Sequence, residues 1–518
     1  MARSKTRRRG RDQRLEASQN PETEAPPVWP GLSGGRFRPL TETEIVQIDE
    51  AALTLLETLG MSQAIPLMVD KVLAAGGAIS DTGRLLFPRE LVRGAIRNAR
   101  RDVVLHGQDP AHDLDLSGSR VHMSSGGGAP GVFDLDTGAY RDGSLQDLYD
   151  AARLCDAMEN IHHFSRSIVA RDVEDNLLMD LNTAYACIAG TSKHVSISIS
   201  EPAHVPAVRD LCYMLAGGEA AFRARPFLTV MVCHVVPPMR FAEEACEVLE
   251  LAIRAGFPVQ LISAGQAGAT SPATIAGSLT QAIAETLAGL VFAQLVDPNV
   301  AALFGPKPLV ADLRTGSMCG GGGEQAILMA AAAQMGRHYD LPTTSIAGIT
   351  DAKTHDAQYG AEKCLAVSMA AQAGSNLITQ SCGMQASLLG VSHSAYVIDN
   401  DMLGNILRTV RGVEVSAENI GADVIANVCL GEGHYLGHMH TFTRMKSDYF
   451  YPHLGDRRPP REWEADGAHP IGDTARDKTR CLLAEHFPQH IPQGLDDKIR
   501  DVFDIRLPRS AMGQGSDL

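Results

Sequence analysis

The chain has 518 residues, 44% of them hydrophobic and 5% aromatic, with a formal net charge of -15. That length exceeds what one core usually serves, and the composition is that of a soluble globular protein with two or three structural regions. The acidic balance excludes nucleic acid as the main partner, because no basic face would meet a phosphate backbone.

In chain order, residues 1–36 carry the basic run SKTRRRGRDQR within a Pro-, Glu- and Ser-rich stretch. Such a stretch buries too little apolar surface to fold, so a disordered tail is expected there. No apolar segment follows the arginines, which argues against a secretory signal. The ten cysteines are scattered, with neither CxxC nor zinc-finger spacing, and read as reduced, buried thiols of a cytoplasmic protein. Residues 37–115 read as a small accessory α+β region. Apolar residues recur at helical spacing from Thr41 to Ala75, entered through a capping-box pattern at Thr41 and Glu44. A strand at Leu85–Phe87, a helix at Arg89–Ala99 and a strand at Val103–His106 follow.

From 116 to 412 the pattern is strand then helix, eight times over. The predicted strands are Arg120–Met123, Ile161–Val169, His194–Ser200, Pro226–Cys233, Pro258–Ser263, Val300–Phe304, Pro342–Ala347 and Asn376–Gln380. Each is short and apolar and leads through polar residues into a helical run. They recur at roughly 32–42 residues, which suits a closed (β/α)8 TIM barrel of α/β class. An open doubly wound sheet is the alternative. The Ala-rich run Thr270–Val296 is long, but Ser, Thr, Gln and Glu285 interrupt it, so it reads as a buried barrel helix and not a membrane span. Residues 413–508 read as a helical cap that includes the loop GEGHYLGHMHT, and 509–518 as a second disordered tail.

If the sheet closes, the strand exits share one face, and Ser124, Glu201, His234, Gln266, Asp312, Asp351 and Gln380 lie near it. In ADLRTG, Arg314 has the fork geometry for a substrate carboxylate, or it pairs with Asp312 to brace a long loop. In TDAKTHD, Asp351 and Lys353 are candidates for the chemistry, while Asp356 has the competing role of capping the next helix. His234 ends a strand, where a lone histidine is more often a satisfied core group. His434, His438 and His440 give HxxxHxH. Gly433 and Gly437 break the helix that two zinc ligands would share, and no carboxylate completes a set, so no metal is expected and the loop reads as a contact for a cofactor or partner. The Gly-rich SSGGGAP and CGGGGE lack the GK[ST] of a P-loop; they suit close backbone approach to a large ligand, or tight turns.

Five stretches together resemble the trimethylamine methyltransferase (MttB) family: AGATSPATIAGSLTQAIAETLAGLVFAQLVDP, ADLRTG, LPTTSIAGITDAKTHDAQYGAEK, DNDMLGNILRTVRGVEV and GEGHYLGHMHT. The resemblance runs from about Leu40 to Phe487. It implies a barrel enzyme that moves a methyl group from an amine to the cobalt(I) corrinoid of a separate small protein, with no cofactor held tightly by this chain and a homo-oligomeric state. Founding members contain pyrrolysine. This chain has only standard residues, so it resembles the pyrrolysine-free branch, whose substrates include quaternary amines such as glycine betaine.

In many relatives a segment such as LHAAG ends the eighth strand with histidine. Here ITQSCG puts Gln380 at that place, a neutral amide for an imidazole, which leaves the substrate open. On this resemblance Gln380 joins Asp351 and Lys353 as a catalytic candidate. Asp312, Arg314, Glu201, His234 and Gln266 are candidates for binding substrate. His434, His438, His440, Ser124 and Ser125 are expected to face the corrinoid protein. Transfer from a quaternary nitrogen releases a neutral tertiary amine, so no general acid is required. Positioning and desolvation are then the protein's task, with Tyr359, Tyr449, Phe450 and Tyr451 as candidates for a cation cage. Two other readings stay open: a non-catalytic betaine-binding barrel, and a cobalamin-independent amine demethylase or lyase using the same pocket.

Overall fold

Eight short parallel strands organise the molecule, a mixed α/β protein whose computed structural model describes residues 28–513. They are β1 (Arg120–Met123), β2 (Phe164–Ser165), β3 (Val195–Ile197), β4 (Leu228–Val232), β5 (Val259–Ser263), β6 (Ala302–Pro306), β7 (Thr344–Ile346) and β8 (Leu377–Thr379). Strands β2 to β6 pair in sequence order, as do β7, β8 and β1. Single parallel bridges join the two groups at both margins, Phe304 with Thr343 and Ser124 with His163. Every ladder among the eight is parallel, so their C-terminal ends emerge together.

All eight expected strands are present: β1 has the expected bounds, β6 is shifted by two residues at the same length, and the other six are shorter than expected. The stretch expected as Ile161–Val169 keeps ladder pairing only over β2, after which the chain swings to bridge Ala129 through Ile168.

A helix follows each strand: α1 (Leu145–Ala157), α2 (Asn176–Gly190), α3 (Val205–Ala216), α4 (Glu243–Arg254), α5 (Ile275–Val296), α6 (Gly323–His338), α7 (Ala357–Ala373) and α8 (His393–Arg411). Local chemistry sets several boundaries. Ser144 and Asp147 form a reciprocal capping box at α1. Asp356 caps α7 through the Tyr359 N–H at 3.1 Å, and Gly374 ends that helix at φ +85°. Helix α5 is apolar enough to cross a membrane by length and composition, with mean hydropathy 1.4, but 83% of that window is buried inside the fold. The reason lies in the accessory region: its helices Glu42–Thr54 and Arg89–Asn98 cover the outer side of α5, whose inner side meets β5 and β6.

Two expectations about the ends of the chain need correction where the structure describes them. The tail expected over 1–36 is placed from residue 28 on. Val28–Trp29 pairs with Asp113–Asp115, and Leu32–Ser33 runs antiparallel beside β1. Residues 1–27 lie outside the described residues. At the other end Arg509–Met512 forms a 3-10 turn with Met512 buried, so the expected tail at 509–518 is ordered through 513, and 514–518 lie outside the described residues. Here Asp496, fully buried, gathers Tyr185, Arg500 and Arg509. Those partners come from α2, from the helix Gln493–Val502 that carries Asp496, and from the 3-10 turn beyond it, and local composition does not reveal the link to α2.

Candidate active site

The inner side of the strands is polar, whereas parallel barrels are commonly filled by branched apolar residues. His163, just before β2, bridges two hydroxyls: Ser124 at 2.7 Å and Ser196 at 2.9 Å. The Gln260 amide continues the chain of bonds, donating to Ser196 at 3.1 Å and accepting from Thr344 at 3.4 Å. Burial holds the His163 ring well below its usual pKa, reinforced by the nearby Lys307 ammonium, so the imidazole is neutral.

One layer nearer the strand exits, Met231 and Cys233 of the β4 end are inward-facing yet accessible to solvent. Met231 sulfur accepts from the Ser165 hydroxyl at 3.2 Å. An accessible inward-facing residue of a central strand marks an open recess at the strand ends. Two cations enter it. Lys307, only 3% exposed, follows β6, and its Nζ donates to the Thr379 hydroxyl at 3.2 Å. Arg166 follows β2, and its Nε is buried with no hydrogen-bond partner. Both lower the pKa of the Cys233 thiol, which burial raises. Burial pushes the Lys307 ammonium down to about 8, with Cys233 acting weakly the other way.

Gln380 closes the recess from β8. Its backbone is strained at φ +60°, beside Gly348, where a Cβ would stand 2.7 Å from the Gln380 carbonyl oxygen. Its amide is satisfied with the nitrogen toward the Thr379 carbonyl at 2.9 Å and the oxygen accepting from Gly127 N–H at 3.1 Å. The three glycines Gly126, Gly127 and Gly128 all have positive φ, and a side chain at Gly127 or Gly128 would collide with Met384 or Arg166. The SSGGG run is therefore a tight turn that brings backbone to the recess.

The structure sorts the other expected residues. All seven of Ser124, Glu201, His234, Gln266, Asp312, Asp351 and Gln380 follow strand C-terminal ends, but only Ser124 and Gln380 point inward. Ser124 and Ser125 do not face a partner. Both are fully buried, and the Ser125 hydroxyl locks to the backbone of Ser165. Asp351 is a brace. It accepts from Gly320 N–H at 2.8 Å, Ser387 Oγ at 2.5 Å and Cys319 Sγ at 3.3 Å, which ties the β6, β7 and β8 exits together. Burial raises its carboxyl, and these donors outweigh that and hold it below the usual range. Lys353 is exposed and bonds only the Asp351 carbonyl, at 2.6 Å.

Arg314, with a side chain 89% exposed, forks onto Asp312 at 3.0 and 2.8 Å, so the pair stiffens its own loop instead of receiving a substrate. Glu201 lies at the outer rim against Asn176, 3.2 Å away. His234 is a core group under α5: its Nε2 bonds the Glu285 carbonyl at 3.1 Å, and burial lowers its pKa to about 4. Gln266 serves through its backbone, pairing beside Leu309 and holding a turn to Ser271.

His434, His438 and His440 are not at the recess. A helix returns antiparallel to its strand, so the end of α8 lies at the opposite end of the molecule, and the segment after it stays there. Arg408 and Arg411, near that end, bond the Asp448 and Ser447 carbonyls, and His438 caps the helix Met439–Ser447. Among the described residues no group of three metal-ligating side chains is present. Three of the cage candidates, Tyr449, Phe450 and Tyr451, line a hollow of about 600 Å³ beside the same end of α8. The fourth, Tyr359, is buried with its hydroxyl on Asp399 at 2.7 Å. An outer hollow of about 550 Å³ between α3 and α4, lined by Arg209, Tyr213 and Arg254, is equally remote from the strand ends.

The sequence reading passed over Lys307, Arg166, Cys233 and His163. The available signal was a cation set in a strand or its exit with no carboxylate in register, GPKP and FSRS.

Comparison with known proteins now bears on this geometry. The family model for trimethylamine methyltransferase (MTTB) matches residues 7–509. The chain belongs to that family. A trimethylamine methyltransferase MttB of Desulfitobacterium hafniense is 29% identical over 474 residues, covering 91% of this chain and 93% of its own. A glycine betaine methyltransferase of another strain of that species is 27% identical over 466 residues, covering 90% and 96%. The solved monomethylamine methyltransferase (MtmB) of Methanosarcina barkeri superposes with a TM-score of 0.48 at 15% identity over 87% of this chain and 95% of that one, too loosely to weigh on the site.

Proposed function

We propose that this family member moves a methyl group from a quaternary methylated amine, a betaine being the leading class, to a corrinoid carried by a separate small protein. The family match over 7–509 carries the reading, and the open recess at the strand ends supplies the place. We read the eight strands as a closed (β/α)8 barrel; the parallel bridges at both margins support this, and a closed barrel concentrates chemistry at the C-terminal face. The corrinoid supplies a cobalt(I) nucleophile that accepts the methyl group, while the C–N electron pair stays with nitrogen and leaves a neutral tertiary amine. The rim fits a bulky partner group. Gly316 and Gly323 have open space where a side chain would stand, so at these two points of the β6 exit backbone borders the approach.

This chain's own residues bind, orient and dry the substrate. Gln380, held by Gly127 and Thr379, presents a neutral amide at the exit of β8. The neutral His163 and its serines form a rigid floor. The same reading places the protein in the cytoplasm as a homo-oligomer, consistent with its ten free cysteines.

The test mixes the full chain with a reduced corrinoid protein and a panel of glycine betaine, proline betaine, carnitine, choline and trimethylamine. Absorbance follows cobalt, and mass identifies the amine. Demethylation of a quaternary member, with trimethylamine slow, is the expected result. No methylated corrinoid from any amine, with a corrinoid protein active by another route, would leave the non-catalytic binding reading standing.

A further inference from the structure

Among the described residues the buried cations are otherwise satisfied, which makes Lys307 and the half-buried Arg166 stand out. Lys193 places its ammonium on three carbonyls, those of Cys155, Met158 and Ile161, at 2.6 to 2.7 Å. Lys363 pairs with Asp399 at 2.7 Å, both fully buried. Arg153 has Asp150 at 2.7 Å and the Leu483 and His486 carbonyls. Lys307 has only a neutral hydroxyl, and the Arg166 guanidinium has an orphaned Nε. No carboxylate pairs with either among the described residues. Asp180, which acts on Arg166 through space, is no ion-pair partner of it and directs one oxygen, Oδ2, to Ser200 and His204.

A buried charge without a partner is costly, and a fold that keeps the buried Lys307 and the half-buried Arg166 beside one recess is completed by an anion. Lys307 bonds the Thr379 hydroxyl, the Gln380 amide spans from Thr379 to Gly127, and the Arg166 guanidinium lies against Gly128 of the same turn, so the two cations border one recess. Resting on the proposed methyl transfer, we infer that Lys307 and Arg166 together hold a carboxylate of the substrate. The protein then takes zwitterionic methylammonium carboxylates and refuses amines that are cations only. The guanidinium supplies a planar fork and the ammonium a point charge, a combination suited to a carboxylate approached from two sides. The field of the two cations repels a bare quaternary ammonium. With a carboxylate bound, that field is neutralised and the methylated nitrogen is left toward Met231 and Cys233. No aromatic cage is required for this arrangement, in keeping with the remote positions of Tyr449, Phe450 and Tyr451.

The inference is tested by binding alone, on the full chain without any corrinoid. Isothermal titration uses glycine betaine, proline betaine and carnitine, with choline as the ammonium lacking a carboxylate and 3,3-dimethylbutanoate as the carboxylate lacking the charge on nitrogen. At least one carboxylated ammonium is expected to bind about tenfold or more tighter than choline. Lys307→Met and Arg166→Gln are each expected to weaken it by about tenfold or more, with choline unchanged or improved. Arg166→Lys should restore part of the loss. Circular dichroism checks the fold, and if Arg166→Gln does not fold, Lys307→Met decides alone. The inference is overturned if choline binds as tightly as the best carboxylate, if Lys307→Met keeps wild-type affinity, or if no carboxylated member binds at all. Binding through Lys307 and Arg166 without methyl transfer to any corrinoid would keep the site and remove the methyltransferase reading. Rapid demethylation of choline would do the reverse.

Discussion

Replacing Lys307 by Met should make the ligand-free protein more stable, which is unusual for a residue in an active-site recess. The ammonium is 3% exposed, and burial takes its pKa from 10.5 to about 8. That difference, 10.5 − 8 = 2.5, corresponds to about 3 kcal/mol of cost for holding the charge in the folded state. Met has nearly the same length and no charge. It forfeits the bond to Thr379, worth about 1 kcal/mol, while the Thr379 hydroxyl keeps its 2.6 Å bond to the Ser345 carbonyl. The net expectation at pH 7 is a gain of about 2 kcal/mol.

The sign with pH follows from the depressed folded pKa. Below about 8 both folded and unfolded chains hold the proton, and the full cost applies. Between about 8 and 10.5 the unfolded chain keeps a proton that the folded chain has released, so wild-type stability rises with pH through that window. The advantage of Met should therefore shrink at pH 10, where the remaining cost of Lys307 is under about 1 kcal/mol. Urea unfolding of wild type and Lys307→Met, followed by circular dichroism at pH 7 and pH 10, reads both effects. A variant less stable than wild type at pH 7, or an equal gain at the two pH values, would refute the claim that Lys307 is a buried charge without a counter-ion.

Asp351→Ala should lower stability by about 2–3 kcal/mol, because it orphans the Gly320 N–H and the Ser387 hydroxyl, while Asp351→Asn costs less; urea midpoints decide. Arg314→Ala should leave methyl transfer within about twofold of wild type, since its only partner among the described residues is Asp312 on an exposed loop; a larger fall in kcat/KM would return Arg314 to the site. Lys363→Met leaves the Asp399 carboxylate buried with Tyr359 and the Gly383 N–H, and should cost about 3–5 kcal/mol in unfolding free energy, partly recovered by adding Asp399→Leu.

What depended on neighbours in the chain was legible in the sequence. The capping box at Thr41 and Glu44 and the strand Arg120–Met123 are where spacing places them. Asp356 turned out to be the cap that its position before α7 allowed. Caps and period-2 strands are made within a few residues, so local identity suffices. The family was legible for a related reason, since it rests on contiguous stretches. Which exit residues face the recess was decided by tertiary structure alone. Asp351 and Gln380 both follow strand ends, yet one meets backbone N–H groups of a neighbouring loop and the other turns inward on a positive φ. Lys307 meets Thr379 72 positions away, and Ser124 meets His163 39 away. Arg166 gains its meaning from what it lacks, a carboxylate on any strand packed around it. The loop with His434, His438 and His440 reads as polar and glycine-broken wherever it sits. Only the run of α8 back along the strands carries it to the end away from the chemistry. A side chain's role here is set by the partners that the fold brings to it or withholds, and those partners lie on other strands and loops, beyond the reach of local pattern.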